Sequence, residues 1–323
     1  MKHTNWHGKR FYSFDSYIKQ TFGKKLYKVS LDAGCTCPNR DGTKGIGGCT
    51  FCSAGGSGDF ASSRTKSISE QIEDGIQLVS KKAETDQYIA YFQAFTSTYG
   101  PMKSLRAKFL EAIDHPKIAA ISIGTRPDCL PEEMLDLLEQ LNAIKPVFIE
   151  LGLQTIHEDT ARAFHRGYSL DVFEQAVFAL SKRQISIIVH LILGLPGETK
   201  SQMLESVTYL NHLPIHGVKL SMLHVLEGTV LGEQYKAHPF PVFAPEEYVD
   251  FIIQCIEHLR EDLVIHRITG DGPKHLLIAP LWSGNKRFVL NTIAHEMKIR
   301  DSYQGIHAQT RSDKHATGFK YSI

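Results

Sequence analysis

The stretch DAGCTCPNRDGTKGIGGCTFC, residues 32–52, decides the fold, because it places four of the six cysteines in one glycine-rich loop. The loop follows an apolar run at residues 26–31 that predicts a buried β-strand. Cys49 and Cys52 are separated by two residues, so a single tight turn can present both thiols, and Cys37 can join them from the loop. Three thiolates surrounded by glycine amides indicate an iron–sulfur cluster. The same spacing also suits a structural zinc ion, with Cys35 or a histidine as the fourth ligand.

Composition restricts the partners that the chain can have. Of 323 residues, 42% are hydrophobic and 22% charged, which is ordinary for a globular protein with a sizeable core. The net charge of +1 implies no global attraction to nucleic acid, so such a partner would require a local basic patch. No apolar run approaches the ~20 residues that span a bilayer, and residues 1–19 lack the apolar stretch of a signal peptide. We therefore expect a cytoplasmic protein with no membrane association.

Short apolar runs alternate with helical patterns between residues 26 and 224. Six strands are predicted there, and strands that are apolar along their whole length indicate a parallel sheet covered on both faces. Candidate functional residues follow the carboxyl ends of many successive strands, where barrel active sites are built. The sequence therefore predicts an α/β fold, a partial (β/α)6 TIM-type barrel rather than a doubly wound sheet.

The pattern changes after residue 224, which gives the predicted domain boundaries. We expect an N-terminal segment at residues 1–25, the barrel core at residues 26–224 and a C-terminal α/β extension at residues 225–323 that packs on the barrel. Within the extension, residues 225–244 predict a loop, residues 245–261 an amphipathic helix and residues 264–268 a strand. A basic tail begins at about residue 298.

The cysteine pattern resembles that of a known enzyme family. Eleven residues separate Cys37 from Cys49, and aromatic Phe51 directly precedes Cys52. This spacing is similar to the cluster motif of radical S-adenosylmethionine (radical SAM) enzymes, in the branch that includes YtqA/YhcC-type proteins and the catalytic subunit of Elongator. The common motif has three residues in its first spacer, so this chain departs from it. The resemblance implies a barrel of the radical SAM kind, a [4Fe-4S] cluster on Cys37, Cys49 and Cys52, bound S-adenosylmethionine (SAM), and no ligand role for Cys35.

Five further motifs extend the resemblance over roughly residues 5–305. They are YFQAFT (91–96), GTRPD (124–128), ELGLQT (150–155), HLILGLPGET (190–199) and LHVLEGT (223–229), each at the end of a predicted strand. The resemblance implies that they bind SAM, with Phe51 against adenine and with cofactor contacts from Gln93, Thr96, Arg126, Gln154, Gly194 and Leu226. The planar fork of an arginine suits a carboxylate. Taken alone, GTRPD and GLPGE are also ordinary turns and helix caps.

Other polar residues near the predicted strand ends are candidates for substrate binding or catalysis. His190, His224 and Asp271 face the barrel interior if the strands are as predicted, although each histidine can equally be a hydrogen-bonded core residue. Arg162, His165 and Arg166 form either a basic edge at the barrel mouth or a solvated helix face.

The resemblance also implies an activity. It predicts reductive cleavage of SAM to a 5′-deoxyadenosyl radical, with an electron donor such as flavodoxin or ferredoxin. For the YtqA-type proteins it implies a tRNA substrate, with conversion of a wobble-uridine C5 side chain from carboxymethylaminomethyl toward aminomethyl. Apart from the resemblance, the sequence supports a tRNA substrate only through two clusters of basic residues. One contains Lys24, Lys25 and Lys28, and the other contains Arg300, Arg311, Lys314 and Lys320. A radical SAM enzyme acting on a small metabolite or a protein, and a noncatalytic nucleic-acid-binding protein with structural zinc, stay open as alternatives.

Overall fold

The computed structural model describes residues 6–56, 58–80, 85–270 and 272–308. The described strands are β1 (Tyr27–Leu31), β2 (Tyr88–Phe92), β3 (Ile118–Thr125), β4 (Val147–Gln154), β5 (Ser186–Leu193), β6 (Gly217–Met222), β7 (Val225–Leu226), β8 (Val264–Arg267) and β9 (Leu277–Ala279). Seven of them form one parallel sheet in the order β1-β2-β3-β4-β5-β6-β8, and β7 pairs with β9 in a separate antiparallel ribbon. All seven therefore point their carboxyl ends to the same edge.

Helices connect the strands, and most of them cover the outer face of the sheet. They are α1 (Phe14–Phe22), α2 (Ile68–Ser80), α3 (Met102–Asp114), α4 (Glu132–Asn142), α5 (Glu158–Ala163), α6 (Leu170–Lys182), α7 (Lys200–Tyr209), α8 (Val230–Ala237), α9 (Pro245–His258) and α10 (Lys286–Ile299). The first helix instead packs through Ile18 against Ile89 and Phe148, on the face that carries Glu150. The main core lies between the covering helices and the sheet, as where Phe92 of β2 meets Phe109 of α3 with ring centroids 4.9 Å apart. Burial of such aromatic side chains dominates the energetics of a core.

The sheet is curled into an open barrel. Lys28 of β1 and Lys219 of β6 both reach the carboxylate of Glu150 on β4, so strands that are distant in the sheet face one another across its interior. β1 and β8 are the two ends of the strand order and do not pair with each other. The barrel consequently has a lateral opening between these two strands.

The N-terminal segment lies along β8 at one side of this opening. The Ile265 amide donates to the Tyr12 carbonyl at 2.8 Å, and Ser13 forms a parallel bridge with Ile265. The Tyr12 amide in turn donates to the Gln304 side-chain oxygen at 2.9 Å. Residues from both ends of the described chain therefore stabilise the last strand of the sheet.

The predicted partial α/β barrel is confirmed, with two additions. The strand predicted at residues 264–268 is β8, and it joins the main sheet as a seventh parallel strand. The loop predicted at residues 225–244 is wrong in part, because α8 lies within it. Thr229 caps α8 by accepting the Gly232 amide at 2.9 Å, but only Leu231 and Gly232 of this short helix are buried, so its apolar periodicity is weak.

Membrane-spanning segments can be assessed for the described residues. In the described part of the chain, no helix is both long and apolar enough to cross a bilayer.

Candidate active site

The cysteine loop lies between β1 and α2, at the carboxyl edge of the sheet. Three of its cysteines line one cavity of about 320 Å³, namely Cys37, Cys49 and Cys52. The loop is pinned by Asn39, whose amide donates to the His165 carbonyl at 2.6 Å, and by Arg40, which donates to the Ser53 carbonyl at 2.6 Å. Gly48 has a φ of +91°, and a Cβ there would lie 2.8 Å from Arg40 Nε. Glycine is therefore required where the Arg40 side chain crosses the loop.

The three thiols are suited to a positively charged iron–sulfur centre. Burial, and then the neighbouring Cys52, raise the pKa of Cys49 to about 12, and burial also raises the pKa of Cys52. Thiolates are the metal-binding form, so a cationic centre is what these buried thiols need in order to ionise. Cys35 is not among the cavity residues, because its Sγ contacts the Ser97 carbonyl at 3.6 Å. The donor set therefore fits a cluster held by three cysteines.

The same cavity brings together most of the residues that the sequence assigns to SAM. Six of the seven line it: Phe51, Gln93, Thr96, Arg126, Gln154 and Leu226. The seventh, Gly194, is not a lining residue, since its amide faces Met203 Sδ at 3.0 Å and a Cβ there would lie 3.1 Å from the Phe243 ring. Of the catalytic candidates, His190 and His224 line the cavity. Asp271 lies outside the described residues.

Arg126 is buried in the cavity wall, and its guanidinium already holds a carboxylate. Its Nε and Nη2 each donate to Asp128 at 2.9 Å, and Lys44 binds Asp128 at 2.9 Å. Burial by itself would raise the pKa of Asp128, but the hydrogen bonds from Arg126 and Lys44 hold this pKa below its ordinary value. The sequence predicts that the Arg126 guanidinium binds a carboxylate of the cofactor, but in the structure this guanidinium binds the carboxylate of Asp128. The Arg126 charge still acts on the cavity, because it opposes the effect of burial on the pKa of Cys49.

Gln154 is oriented into the cavity by its backbone and by Tyr168. Its φ is +65°, in the left-handed region that few non-glycine residues adopt, and it follows a bulge in the pairing of β4 with β5. The Tyr168 hydroxyl lies 2.8 Å from the Gly152 carbonyl and 3.1 Å from Gln154 Oε1. A Cβ at Gly152 would lie 2.6 Å from Gln154 Nε2, so the glycine makes room for this side chain. Local strain of this kind is typical of ligand-binding positions.

A buried charge cluster lies at the floor of the cavity, which Tyr91, Glu150 and His190 of this cluster line. At its centre is Glu150 of β4, whose side chain is completely buried. Its carboxylate is contacted by Lys28 of β1, Tyr91 of β2 at 2.6 Å, Ser122 of β3 at 2.8 Å, His190 of β5 at 2.9 Å and Lys219 of β6. Burial alone would raise the pKa of Glu150, but Lys219 and Lys28 hold it well below its usual range. These six residues, one from each strand β1 to β6, are called the Glu150 cluster.

The Glu150 cluster fixes the state of His190. Burial, and then the charge of Lys219, lower the pKa of His190 to about 4, so its imidazole is neutral near pH 7. An ionised carboxylate only accepts hydrogen bonds, so Nε2 of His190 carries the proton that is donated to Glu150. His190 is thereby a hydrogen-bond donor to Glu150 at the edge of the cavity, and it does not store a proton at neutral pH.

Sequence reasoning missed most of this cluster. Lys28 was assigned to a surface basic patch, but it points into the barrel, and Glu150 and Lys219 were given no role. One signal was present: polar residues alternate with apolar ones in several strands, as at Lys28 and Ser30 or at Glu150 and Gln154. Alternation at a period of two places such residues on one face of a strand.

The predicted basic surfaces also differ from the structure. Arg166 is only 1% exposed and donates to the Thr155 carbonyl at 2.7 Å and to Glu158 at 2.6 Å, so it does not contribute to a basic edge. Lys24 binds Asp86 at 2.8 Å. Arg300 is paired with Asp250 and Glu296, while Arg311, Lys314 and Lys320 lie outside the described residues.

Comparison with protein families identifies the fold and its cofactors. The model of the radical SAM superfamily matches residues 37–210, and that of the Radical_SAM C-terminal domain matches residues 215–299. The chain belongs to the radical SAM superfamily. As a radical SAM protein it uses a [4Fe-4S] cluster and SAM, and Cys37, Cys49 and Cys52 are the described residues that would hold the cluster. A noncatalytic zinc protein is not consistent with this membership.

Individual relatives narrow the branch of the superfamily. Uncharacterized protein YtqA of Bacillus subtilis (strain 168) is 42% identical over 297 residues, which cover 92% of each chain. The tRNA uridine(34) acetyltransferase of Methanocaldococcus infernus is 27% identical over 175 residues, 53% of this chain and 32% of that protein. A solved structure of Methanocaldococcus infernus Elp3 with an N-terminal deletion has the same fold, with a TM-score of 0.64 at 17% identity over 86% of this chain and 64% of that one. The expected resemblance to YtqA/YhcC-type proteins and to the Elongator branch is confirmed.

Proposed function

We propose that this radical SAM enzyme modifies tRNA, converting a wobble-uridine C5 side chain from carboxymethylaminomethyl toward aminomethyl. The observation that carries the proposal is that the three cysteines line one cavity together with Tyr91, Glu150 and His190 of the Glu150 cluster. A cofactor held near the cysteines would therefore lie directly above a polar floor that can receive a substrate side chain.

The chain's own residues supply binding and orientation. When bound and reduced, the cluster would supply the electron that cleaves SAM to methionine and a 5′-deoxyadenosyl radical, which would take a hydrogen atom from the carboxymethyl CH2 group. Transfer of one further electron from the substrate to a one-electron acceptor, and hydrolysis of the resulting imine, would release the two-carbon fragment as glyoxylate. Gln154, held by Tyr168, presents an amide to the ligand, and Phe51 offers an aromatic face beside Cys52. The buried walls exclude water from a reactive intermediate. Electrons would come from a flavodoxin or ferredoxin.

Support for tRNA comes from the relatives and from the chemistry of the floor. The relative whose name specifies tRNA uridine(34) shares the matched region with this chain. The proposed side chain ends in a carboxylate, and two lysines that line the neighbouring cavity, Lys28 and Lys219, bind Glu150 at the floor of the active-site cavity. An enzyme that acts on a base must take the nucleotide out of its stack into such a pocket.

A small carboxylated metabolite is the second candidate substrate, and one observation favours it. Within the described residues, the basic side chains expected to contact phosphates are largely engaged elsewhere, Lys24 with Asp86, Arg300 with Asp250, and Lys28 inside the barrel. Phosphate contacts make nucleic-acid binding strongly dependent on salt. A metabolite enzyme would lack both tRNA affinity and this salt dependence.

The proposal is tested with anaerobically reconstituted protein. We would assay iron and labile sulfide, add reductant, SAM and tRNA from cells that lack the enzyme, and measure 5′-deoxyadenosine together with the modified nucleosides. We expect carboxymethylaminomethyluridine to fall and aminomethyluridine to rise, with neither change in the Cys37→Ala variant.

Two other results distinguish the radical SAM activity from the identity of the substrate. Formation of 5′-deoxyadenosine with unchanged tRNA nucleosides would leave the radical SAM activity intact and refute the tRNA substrate. A conversion whose rate falls about as a power of the salt concentration would support tRNA over a free nucleoside.

A further inference from the structure

A second cavity lies beside the active-site cavity, at the lateral opening of the barrel. Its volume is about 520 Å³, within the range of ligand pockets, and residues of α1, β1, β6 and β8 line it. It shares Tyr91, Gln93 and Arg267 with the active-site cavity. The two spaces therefore meet at the Glu150 cluster, directly below the residues assigned to SAM.

Two ammonium groups share one carboxylate where the cavities meet. The side chain of Lys28 is 19% exposed and that of Lys219 is 4% exposed, and both bind Glu150, whose side chain is completely buried. The ring of Tyr91 lies 4.5 Å from Lys28 Nζ and 4.8 Å from Lys219 Nζ. An aromatic face stabilises cations but neutralises no charge. One carboxylate does not offset both ammonium groups, because burial and the charges of Lys28 and Arg267 hold the pKa of Lys219 well below its ordinary value although Glu150 opposes them.

Other charged groups also line the second cavity. Arg267 and Lys25 are cationic residues of its lining. Asp15 is the carboxylate among its described lining residues, and it pairs with Lys9 and Lys19, each at 3.1 Å. Glu150, which lines the neighbouring active-site cavity, is the carboxylate that binds the interior lysines.

A charge imbalance in a poorly hydrated interior is costly, so it indicates a site for an anion. Lys28 is the lysine that keeps access to the cavity, through its 19% exposure. A carboxylate is small enough for this floor and accepts charge-assisted hydrogen bonds from ammonium groups.

We propose that Lys28, supported by Lys219 and Arg267, binds the terminal carboxylate of the substrate side chain. The assignment rests on the proposed function, because the carboxymethylaminomethyl group carries that carboxylate and the aminomethyl product does not. Lys28 is then a specificity-determining residue: it holds the substrate side chain below SAM and releases the product, which has lost the group that Lys28 recognises.

Equilibrium binding without reductant tests the assignment, because no turnover occurs. Cluster-loaded enzyme with SAM is titrated with anticodon stem–loops that carry either carboxymethylaminomethyluridine or aminomethyluridine. We expect the wild type to prefer the carboxylated RNA by about tenfold or more, the gain from one hydrogen bond to a charged group. Lys28→Met should remove this preference, Lys28→Arg should retain it, and Lys117→Met, which changes an exposed lysine paired with Glu73, should behave as the wild type.

Lys28→Met leaves Glu150 bound to Lys219, so the fold keeps its main interior ion pair. A full preference in Lys28→Met, or equal binding of both RNAs by the wild type, would overturn the assignment.

A small probe separates failure of this subsite from failure of the tRNA proposal. N-methylglycine reproduces the end of the side chain, and N-methylglycinamide is its uncharged counterpart. If N-methylglycine alone raises the unfolding temperature of the wild type, and not that of Lys28→Met, the carboxylate subsite stands even when neither RNA binds. If both RNAs bind equally and N-methylglycine has no effect, the subsite is refuted while tRNA binding stands.

Discussion

Replacement of Glu150 by glutamine tests the role of the Glu150 cluster in stability. Glutamine keeps the shape of the side chain but removes its charge, so Lys28 and Lys219 would face each other without a carboxylate between them. Their side chains are 19% and 4% exposed, so water can screen this repulsion only weakly. Removal of one partner from a buried ion pair costs about 3–5 kcal/mol of unfolding free energy. That is a large share of the roughly 5–15 kcal/mol that stabilises a typical domain.

Glu73→Gln is the matched control. Glu73 is 45% exposed and binds Lys117 at 3.0 Å, so this change removes the same charge from a surface pair. An exposed pair contributes about 0–1 kcal/mol. Urea unfolding at pH 7, followed by circular dichroism on cluster-free protein, compares both variants with the wild type. If Glu150→Gln costs no more than Glu73→Gln, the buried-charge interpretation is wrong.

The pH dependence gives an independent check with a definite sign. The pKa of Glu150 is held well below its ordinary value in the folded state, so the carboxylate's contribution to stability is fully present above the unfolded pKa, near 4.3. It is lost as the pH falls through the folded pKa, because the folded carboxylate must then be protonated. The difference in unfolding free energy between the wild type and Glu150→Gln should narrow as the pH falls below about 4. A difference that widens on acidification would contradict this assignment of charge.

Four other variants test separate parts of the structure. Cys52→Ala should abolish iron and labile sulfide after reconstitution, whereas Cys35→Ala should retain both, because Cys35 contacts the Ser97 carbonyl and does not line the cavity. Gly152→Ala should weaken SAM binding about fivefold by displacing the Gln154 amide, the loss of one neutral hydrogen bond, and calorimetry on unreduced protein would detect it. Thr229→Ala should lower the unfolding free energy by about 1 kcal/mol through loss of the α8 cap, and an unchanged urea midpoint would show that the cap is unimportant.

The site residues at the strand ends could be predicted from the sequence. Cys49 and Cys52 lie within one turn, and their spacing fixes their proximity without knowledge of the fold. Arg126 and Gln154 follow strands of a parallel sheet, whose carboxyl ends must share an edge. The order of the motifs therefore predicted that these residues would meet.

The Glu150 cluster could not be predicted from the order of the strands and motifs. The alternation of polar and apolar residues in β1 and β4 shows which side chains share a face of a strand, but it does not show which side chains of other strands they meet. The partners are also far apart in sequence, since Lys28 and Glu150 are separated by 122 positions. Their contact depends on how strongly the sheet curls, a property that no local pattern specifies. Arg126 illustrates the same difficulty, because its fork binds Asp128 two residues away.

The hydrogen bond between Tyr12 and Gln304 has a consequence for biosynthesis. These residues are 292 positions apart, and the intervening chain must be made before they can meet. At a translation rate of about 5–20 residues per second, the N-terminal segment waits roughly 15–60 s for its partner. Strands β1 to β6 emerge from the ribosome before β8 does, so the nascent sheet has an uncovered edge during that interval. Docking of the segments at Tyr12 and Gln304 beside β8 therefore requires that synthesis has passed Gln304.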